Sequence, residues 1–310
     1  MSGIGIITNP HSKLNRRNPS RAALLGFILG AQGQLEVTNT LADLGRVARD
    51  FKEKGIRILA INGGDGTISR TLTAFIREYK DQPLPRIALL RGGTINVLAN
   101  NLGIRGSPEQ VLFRLVEGHS GLGDLPWRRL RSLKIEGNYG FLFADGLAPA
   151  FLKEYYRRKS GPLGALALAV KVWGSRLFNG ELFARIVSDL HHTLTPDVGP
   201  THSHLSCAVF CSTVAKLPLG YPLFHLLSTV ESGFQCSSFT MSAKDVLWQF
   251  PVILATRQDG IGKGKISFCC RELIVEQVRP FDYTLDGELY LSRSNSLRIE
   301  MGPDLDFLTL

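Results

Sequence analysis

The apolar positions of the first part of the chain fall into short β-rich runs separated by stretches with a helical period. Gly3 to Thr8 reads as a strand, Arg21 to Gln32 as a helix, Leu35 to Thr38 as a second strand, and Leu41 to Lys54 as an amphipathic helix closed by Gly55. Ile56 to Ile61 is a third strand and Ile68 to Tyr79 its helix. Arg86 to Leu90 is a fourth strand, followed by helices over Ile95 to Leu102, stopped by Gly103, and Ser107 to Glu117, opened by Ser107-Pro108. Such alternation predicts a parallel sheet with right-handed crossovers, whose turns leave the carboxyl ends of the strands along one edge. Asn9-Pro10, Thr40, Gly63 to Thr67 and Gly92-Gly93-Thr94 all fall on that edge.

From Trp127 the pattern changes to strands separated by polar turns: Ser132 to Glu136, Tyr139 to Ala144, Leu182 to Val187, Leu205 to Thr213, Phe234 to Ser242 and Lys265 to Val278. Two helix patterns split by Ser160-Gly161-Pro162 are inserted at about Ala150 to Phe178. The expected fold is an α/β domain with a parallel sheet over 1–126, followed by an all-β, sandwich-like domain with a helical insert over 127–310. The last segment is a candidate to return to the first domain, and a cleft is expected between the halves.

Composition narrows the function classes. At 44% apolar and 20% charged residues the chain is globular, and its formal charge of +9 calls for an anionic partner: nucleic acid, an anionic membrane surface or a polyphosphate. No recognised nucleic-acid module accompanies the charge. Cys207, Cys211, Cys236, Cys269 and Cys270 form no even framework and read as reduced thiols. Absence of CxxC and HExxH leaves no thiolate or paired-imidazole metal site, and His191, His192, His202 and His204 read as loop and strand residues. Met1 leads directly into a strand pattern without a secretory signal, and the longest apolar run, Leu163 to Val170, is too short to span a bilayer. A cytoplasmic protein without a transmembrane segment is expected; nothing in the chain bears on its oligomeric state.

The chemistry concentrates in the turns. Asn62-Gly63-Gly64-Asp65-Gly66-Thr67 follows a strand and opens a helix, so its backbone can approach a phosphate closely and aim N–H groups at it, with the helix dipole behind them. A carboxylate beside phosphate would repel it, and Asp65 therefore reads as a holder of Mg²⁺ or as a proton acceptor. Arg91-Gly92-Gly93-Thr94-Ile95-Asn96 repeats the strand-turn-helix arrangement, and two such turns on one edge suit a polyphosphate. Thr284-Leu285-Asp286-Gly287-Glu288 places two carboxylates at a turn, and Glu288 or Asp65 could take a proton from an acceptor hydroxyl.

Taken in order, Asn9-Pro10, Asn62-Gly63-Gly64-Asp65-Gly66-Thr67, Gly93-Thr94-Ile95-Asn96-Val97-Leu98-Ala99, Leu102-Gly103 and Asp286-Gly287-Glu288 resemble the diacylglycerol kinase catalytic family, which includes bacterial soluble lipid kinases, sphingosine kinases and ceramide kinases. The resemblance implies an NAD kinase/diacylglycerol kinase-like α/β domain, ATP and Mg²⁺ as cofactors, and a lipid such as diacylglycerol or a sphingoid base as acceptor. It implies that Asn9 and Thr40 line the nucleotide, that Gly63, Gly64, Gly66, Thr67, Ile68 and Ser69 wrap its phosphates, and that Thr94 contacts them. Glu288 matches the family's proton acceptor and Asp65 the Asp tied to Mg²⁺ or the acceptor hydroxyl. Asp124 would make a water-mediated Mg²⁺ contact, and Asp145 would hold an amino-alcohol head group unless its Asp-Gly pair is a plain turn.

The chain departs from the family where Arg91 replaces Pro, Lys13 replaces Gly and Val97 replaces a frequent Asp. Lys13, Arg16, Arg17 and Arg91 would add positive charge near the phosphates, and Glu231-Ser232-Gly233-Phe234 lacks the Asp-Gly pair beside a structural Mg²⁺. The basic residues Arg128, Arg129, Arg131, Lys134, Lys153, Arg157, Arg158, Lys159, Lys171 and Arg176 are interleaved with aromatic side chains and are expected to face an anionic membrane, giving peripheral association. Competing readings are a dinucleotide kinase and a kinase-like binder that has lost turnover. A dehydrogenase fits less well, because Gly64, Gly66 and Ser69 miss the third glycine of the dinucleotide fingerprint and no acidic residue sits at the ribose spacing.

Overall fold

The computed structural model describes residues 3–120, 125–157, 186, 189–217, 222–229, 232–240, 245 and 264–310. Strands β1 (Ile4–Thr8), β2 (Gly33–Val37), β3 (Ile58–Asn62) and β4 (Arg86–Leu89) pair in parallel in the order β2-β1-β3-β4. β1 and β3 are buried at every position, because helices cover both faces of the sheet and leave no polar side for alternation. The helices are α1 (Lys13–Arg17), α2 (Arg21–Leu29), α3 (Leu41–Glu53), α4 (Asp65–Tyr79), α5 (Val97–Asn101) and α6 (Pro108–Ser120). Right-handed crossovers put α3 and α4 together on one face and α2 against α6 on the other. α3 buries the stripe Leu44, Val47, Ala48 and Phe51, and its amino end is closed by a reciprocal capping box between Thr40 and Asp43.

The second half contains β5 (Trp127–Ile135), β6 (Asn138–Gly140), β7 (Leu142–Asp145), α7 (Leu147–Arg157), β8 (Leu190–Pro196), β9 (His202–Ser206), β10 (Ala208–Ser212), β11 (Phe234–Phe239), β12 (Lys265–Cys270), β13 (Glu272–Glu276), β14 (Asp282–Leu285), β15 (Glu288–Leu291) and β16 (Ser296–Leu308). One antiparallel sheet runs β12-β11-β10-β7-β14-β15. Its inner face, with Phe143, Val209, Phe234 and Tyr283, shares a core with Ile135, Leu273, Val275 and Ile299 of the other sheet. Three stretches that read as single strands each break at one residue, Phe141, Cys207 or Arg271, where the chain leaves one sheet for the other. At Phe141 and Cys207 the apolar run continues through the break, because both residues are buried, so periodicity alone hides the corner there. Of the expected helical insert only the start is described, as α7; the remainder, and the Leu182 to Val187 strand apart from Ile186, lie outside the described residues.

β16 joins the halves. It pairs with β13 through Ser296–Glu300, shifts register between Met301 and Asp304, and then lies parallel to β4 with Phe307 opposite Ile87, while β5 runs antiparallel along both parts. The first sheet is therefore continuous across residue 126. Pairing of β5 with β16 also changes the reading of the basic run: Arg129 meets Asp306 at 2.8 Å, Arg131 meets Asp304 at 2.6 Å and Lys134 meets Glu300 at 3.0 Å. On α7, Lys153 pairs with Asp282 at 2.5 Å and Arg157 with Glu154 at 3.0 Å. These cations, expected at a membrane, meet acids in the fold, and all of those acids except Glu154 are distant in sequence. Arg158, Lys159, Lys171 and Arg176 lie outside the described residues. No described helix is long and apolar enough to cross a membrane.

Candidate active site

The order β2-β1-β3-β4 reverses direction between β1 and β3, so the connections leaving their carboxyl ends diverge and open a crevice. Asn9 and Thr67 face each other across it: Asn9 Nδ2 donates to Thr67 Oγ1 at 2.8 Å, and Asn9 N to the Asn62 carbonyl at 3.1 Å. Buried Asn15 of α1 fastens both connections, donating from Nδ2 to the carbonyls of Asn9 at 2.8 Å and Asn62 at 3.2 Å. Sequence reading missed Asn15, since nothing in its neighbourhood marks it.

The two glycine turns touch. A Cβ on Gly93 would collide with the Gly64 backbone, and one on Gly92 with Asn62 and Gly63 N. Glycine is required here by backbone-to-backbone approach, which no side chain permits. Helix α4 begins at Asp65, three residues before the expected start, so Asp65, Gly66 and Thr67 form its first turn, where N–H groups have no intrahelical partner. Asp65 Oδ1 accepts from Leu98 N at 3.3 Å, which ties the first turn of α4 to the start of α5. Burial raises the Asp65 carboxyl above its ordinary value against the opposing pull of backbone N–H groups, led by that of Val97.

The second half reaches this corner through the β14–β15 hairpin. A Cβ on Gly66 would strike the Glu288 carboxylate, so Glu288 lies directly over the first turn of α4, where its Oε2 pairs with Arg70 Nη2. Asp286, at φ 51°, accepts from Phe141 N at 3.1 Å and Leu142 N at 2.9 Å. Burial pushes its carboxyl up to about 8; the Phe141 N–H opposes this, while the charges of Asp65 and Glu288 add to it. Asp65 and the two carboxylates of the β14–β15 hairpin, from opposite ends of the sequence, thus come together near one helix start. Asp286 was legible in the motif as one of two acids, but only packing against Phe141 distinguishes it from a hairpin Asp.

Because the native carboxyl of Asp286 is raised, the folded state holds more protons than the unfolded state between the ordinary carboxylate range and about 8. Stability contributed by this group is complete below that window and is lost as pH rises through it. In Asp286→Asn the amide oxygen can still accept the backbone bonds. The pH slope of the melting temperature across the window should flatten, and an unchanged slope would assign the dependence elsewhere.

Other expected site residues stand differently. Ser69 Oγ donates to the Tyr139 carbonyl at 2.7 Å and so holds α4 against β6, while Ile68 is buried in the core with its N–H bonded to Gly64 O. The Thr40 hydroxyl accepts from Asp43 N, and Thr94 is exposed beside the second turn. Arg91 turns away from the crevice, donating from Nη1 to Asn100 Oδ1 at 2.9 Å and to the Ile104 carbonyl. Asp124 lies outside the described residues. Asp145 is fully buried: Oδ1 accepts from Val209 N at 2.8 Å, and Oδ2 meets His192 Nε2 at 3.0 Å and Gln277 Nε2 at 3.1 Å. Burial lowers the His192 imidazole, but the Asp145 charge and hydrogen bond prevail and raise it overall. Through these hydrogen bonds Asp145 ties β7 to β8.

A model of the diacylglycerol kinase catalytic domain matches residues 4–125, which contain both glycine turns. Proteins named "Probable lipid kinase YegS" from Salmonella arizonae and Salmonella heidelberg are 31% identical over 91 residues, 29% of this chain. The match spans 30% of the length of those curated relatives. The crystal structure of a diacylglycerol kinase from Bacillus anthracis superposes with a TM-score of 0.68 at 12% identity, covering 99% of this chain and 96% of that one. A second Bacillus anthracis structure gives 0.74 at 14%, with 99% and 96% covered. At those identities the likeness is one of fold: a parallel α/β half followed by an antiparallel β half.

Among the described residues no group of three or more His, Cys, Asp or Glu side chains is arranged as a metal cage. Asp65 and Glu288, at the start of α4, offer carboxylate oxygens of the kind a hard divalent cation takes alongside phosphate oxygens and water.

Proposed function

We propose that the chain is an ATP-dependent lipid kinase that passes a phosphoryl group to a lipid hydroxyl. The observation that supports this reading most is the contact between the two glycine turns at the β1/β3 crevice, with Asp65 and Glu288 at the same helix start. Phosphoryl transfer needs little covalent chemistry from side chains; it needs a positioned polyphosphate, neutralised charge and a hydroxyl aimed in line. The first-turn N–H groups of α4 and the backbone of Gly63 and Gly64 would hold the phosphates, with Thr94 at the second turn and Asn9 fixing Thr67. Asp65, with Asp124, would hold Mg²⁺, which when bound supplies charge neutralisation on the phosphate oxygens. Asp65 or Glu288 would accept the proton of the acceptor hydroxyl, Glu288 once its pairing with Arg70 is exchanged for substrate. The acceptor is read as a lipid recognised through its hydroxyl, as in diacylglycerol, because capture of an amine by Asp145 would require displacing both His192 and Gln277.

Purified protein with labelled ATP, Mg²⁺ and mixed lipid vesicles should yield labelled lipid. No label in any lipid class would overturn the reading, and transfer to a soluble dinucleotide without vesicles would replace it with the rival kinase.

A further inference from the structure

Helix α2 carries only one charged residue, Arg21, and its outer side is apolar: Leu24 is 44% and Phe27 85% exposed. Phe113, on the neighbouring α6, is 59% exposed, and half-buried Ile28 sits in the groove between the two helices. Large apolar side chains clustered in the open on one face mark a contact surface. The charge around them is one-sided. The chain has no acidic residue before Glu36, whereas Lys13, Arg16 and Arg17 lie on α1, joined to α2 by residues 18–20. Arg105 and Arg114 are exposed on the α6 side. Of the two acids on α6, Glu109 is already paired with Arg21 at 2.6 Å, and Glu117 lies one turn beyond Phe113. Arg129, Arg131 and Lys134 of β5 and Lys153 and Arg157 of α7, by contrast, are paired with acids.

We propose that the α2–α6 face is the docking surface for an anionic membrane, with Leu24, Phe27 and Phe113 entering the interfacial region and the arginines of α1 and α6 meeting the lipid head groups. A second copy of the chain fits less well, since a two-fold contact would set the acid-free segment against itself. α1 follows Asn9 directly, so this surface begins beside the crevice and would hold it near the bilayer.

Vesicle flotation of the full chain tests this with phosphatidylcholine alone and with added phosphatidylglycerol. Binding is expected only to the anionic vesicles and should weaken with salt. Phe27→Ser with Phe113→Ser, and separately Arg16→Gln with Arg17→Gln, should each lower partitioning about tenfold or more. All four side chains are exposed, and melting curves matching the parent would show that the variants fold. Absence of anionic vesicle binding by the parent, or equal binding by both variants, overturns the proposal. So does a dimer in sedimentation velocity that the phenylalanine variant converts to monomer, which would assign the face to a second copy.

Discussion

Asp65→Asn should reduce lipid phosphorylation by about 10²- to 10⁴-fold, the range expected for loss of a positioned proton acceptor or charge partner. The fold should survive, because the amide oxygen can still accept from Leu98 N and keep α5 tied to α4. Nucleotide titration should show ATP bound with affinity similar to the parent in the absence of Mg²⁺, and a weaker gain when Mg²⁺ is added. Steady-state rates within a few fold of the parent would reduce Asp65 to a cap on α5 and move the chemistry to Glu288 and Asp286.

Gly93→Ala should remove activity by another route, the loss of nucleotide binding. The new methyl meets backbone at Gly64, which cannot rotate aside, so the two turns must separate. Overpacking of this kind costs about 1–3 kcal/mol, visible as a lower denaturant midpoint, and the phosphate cradle would lose its geometry with it. Gly26→Ala is the matched control: it sits in α2 with open space where the methyl would go, and helix propensity favours alanine by about 1 kcal/mol. If Gly93→Ala binds ATP normally, the contact between turns is a packing detail and no part of a phosphate site.

Much of this was legible before any coordinates. The βα alternation gave the sheet and its functional edge, because buried parallel strands and amphipathic helices have different periods. Asn9, the first glycine turn and the second turn meet as their shared edge requires. What stayed hidden depends on pairing between distant segments. β5 looked like a basic surface until Asp304, Asp306 and Glu300 of β16 came alongside it. Asp145 looked available until His192 and Gln277 enclosed it. Ser69 belongs to the helix face that grips β6, two residues beyond the first turn of α4, and a motif string does not record which way each residue points.

The return of β16 bears on how the molecule is made. The β4 edge of the parallel sheet is covered only by a strand at residues 296–308, while its other strands come from the first 89 residues. During synthesis, the parallel α/β half must wait with a bare, apolar margin until residues 296–308 have left the ribosome, a situation that slows folding and exposes an edge to wrong partners.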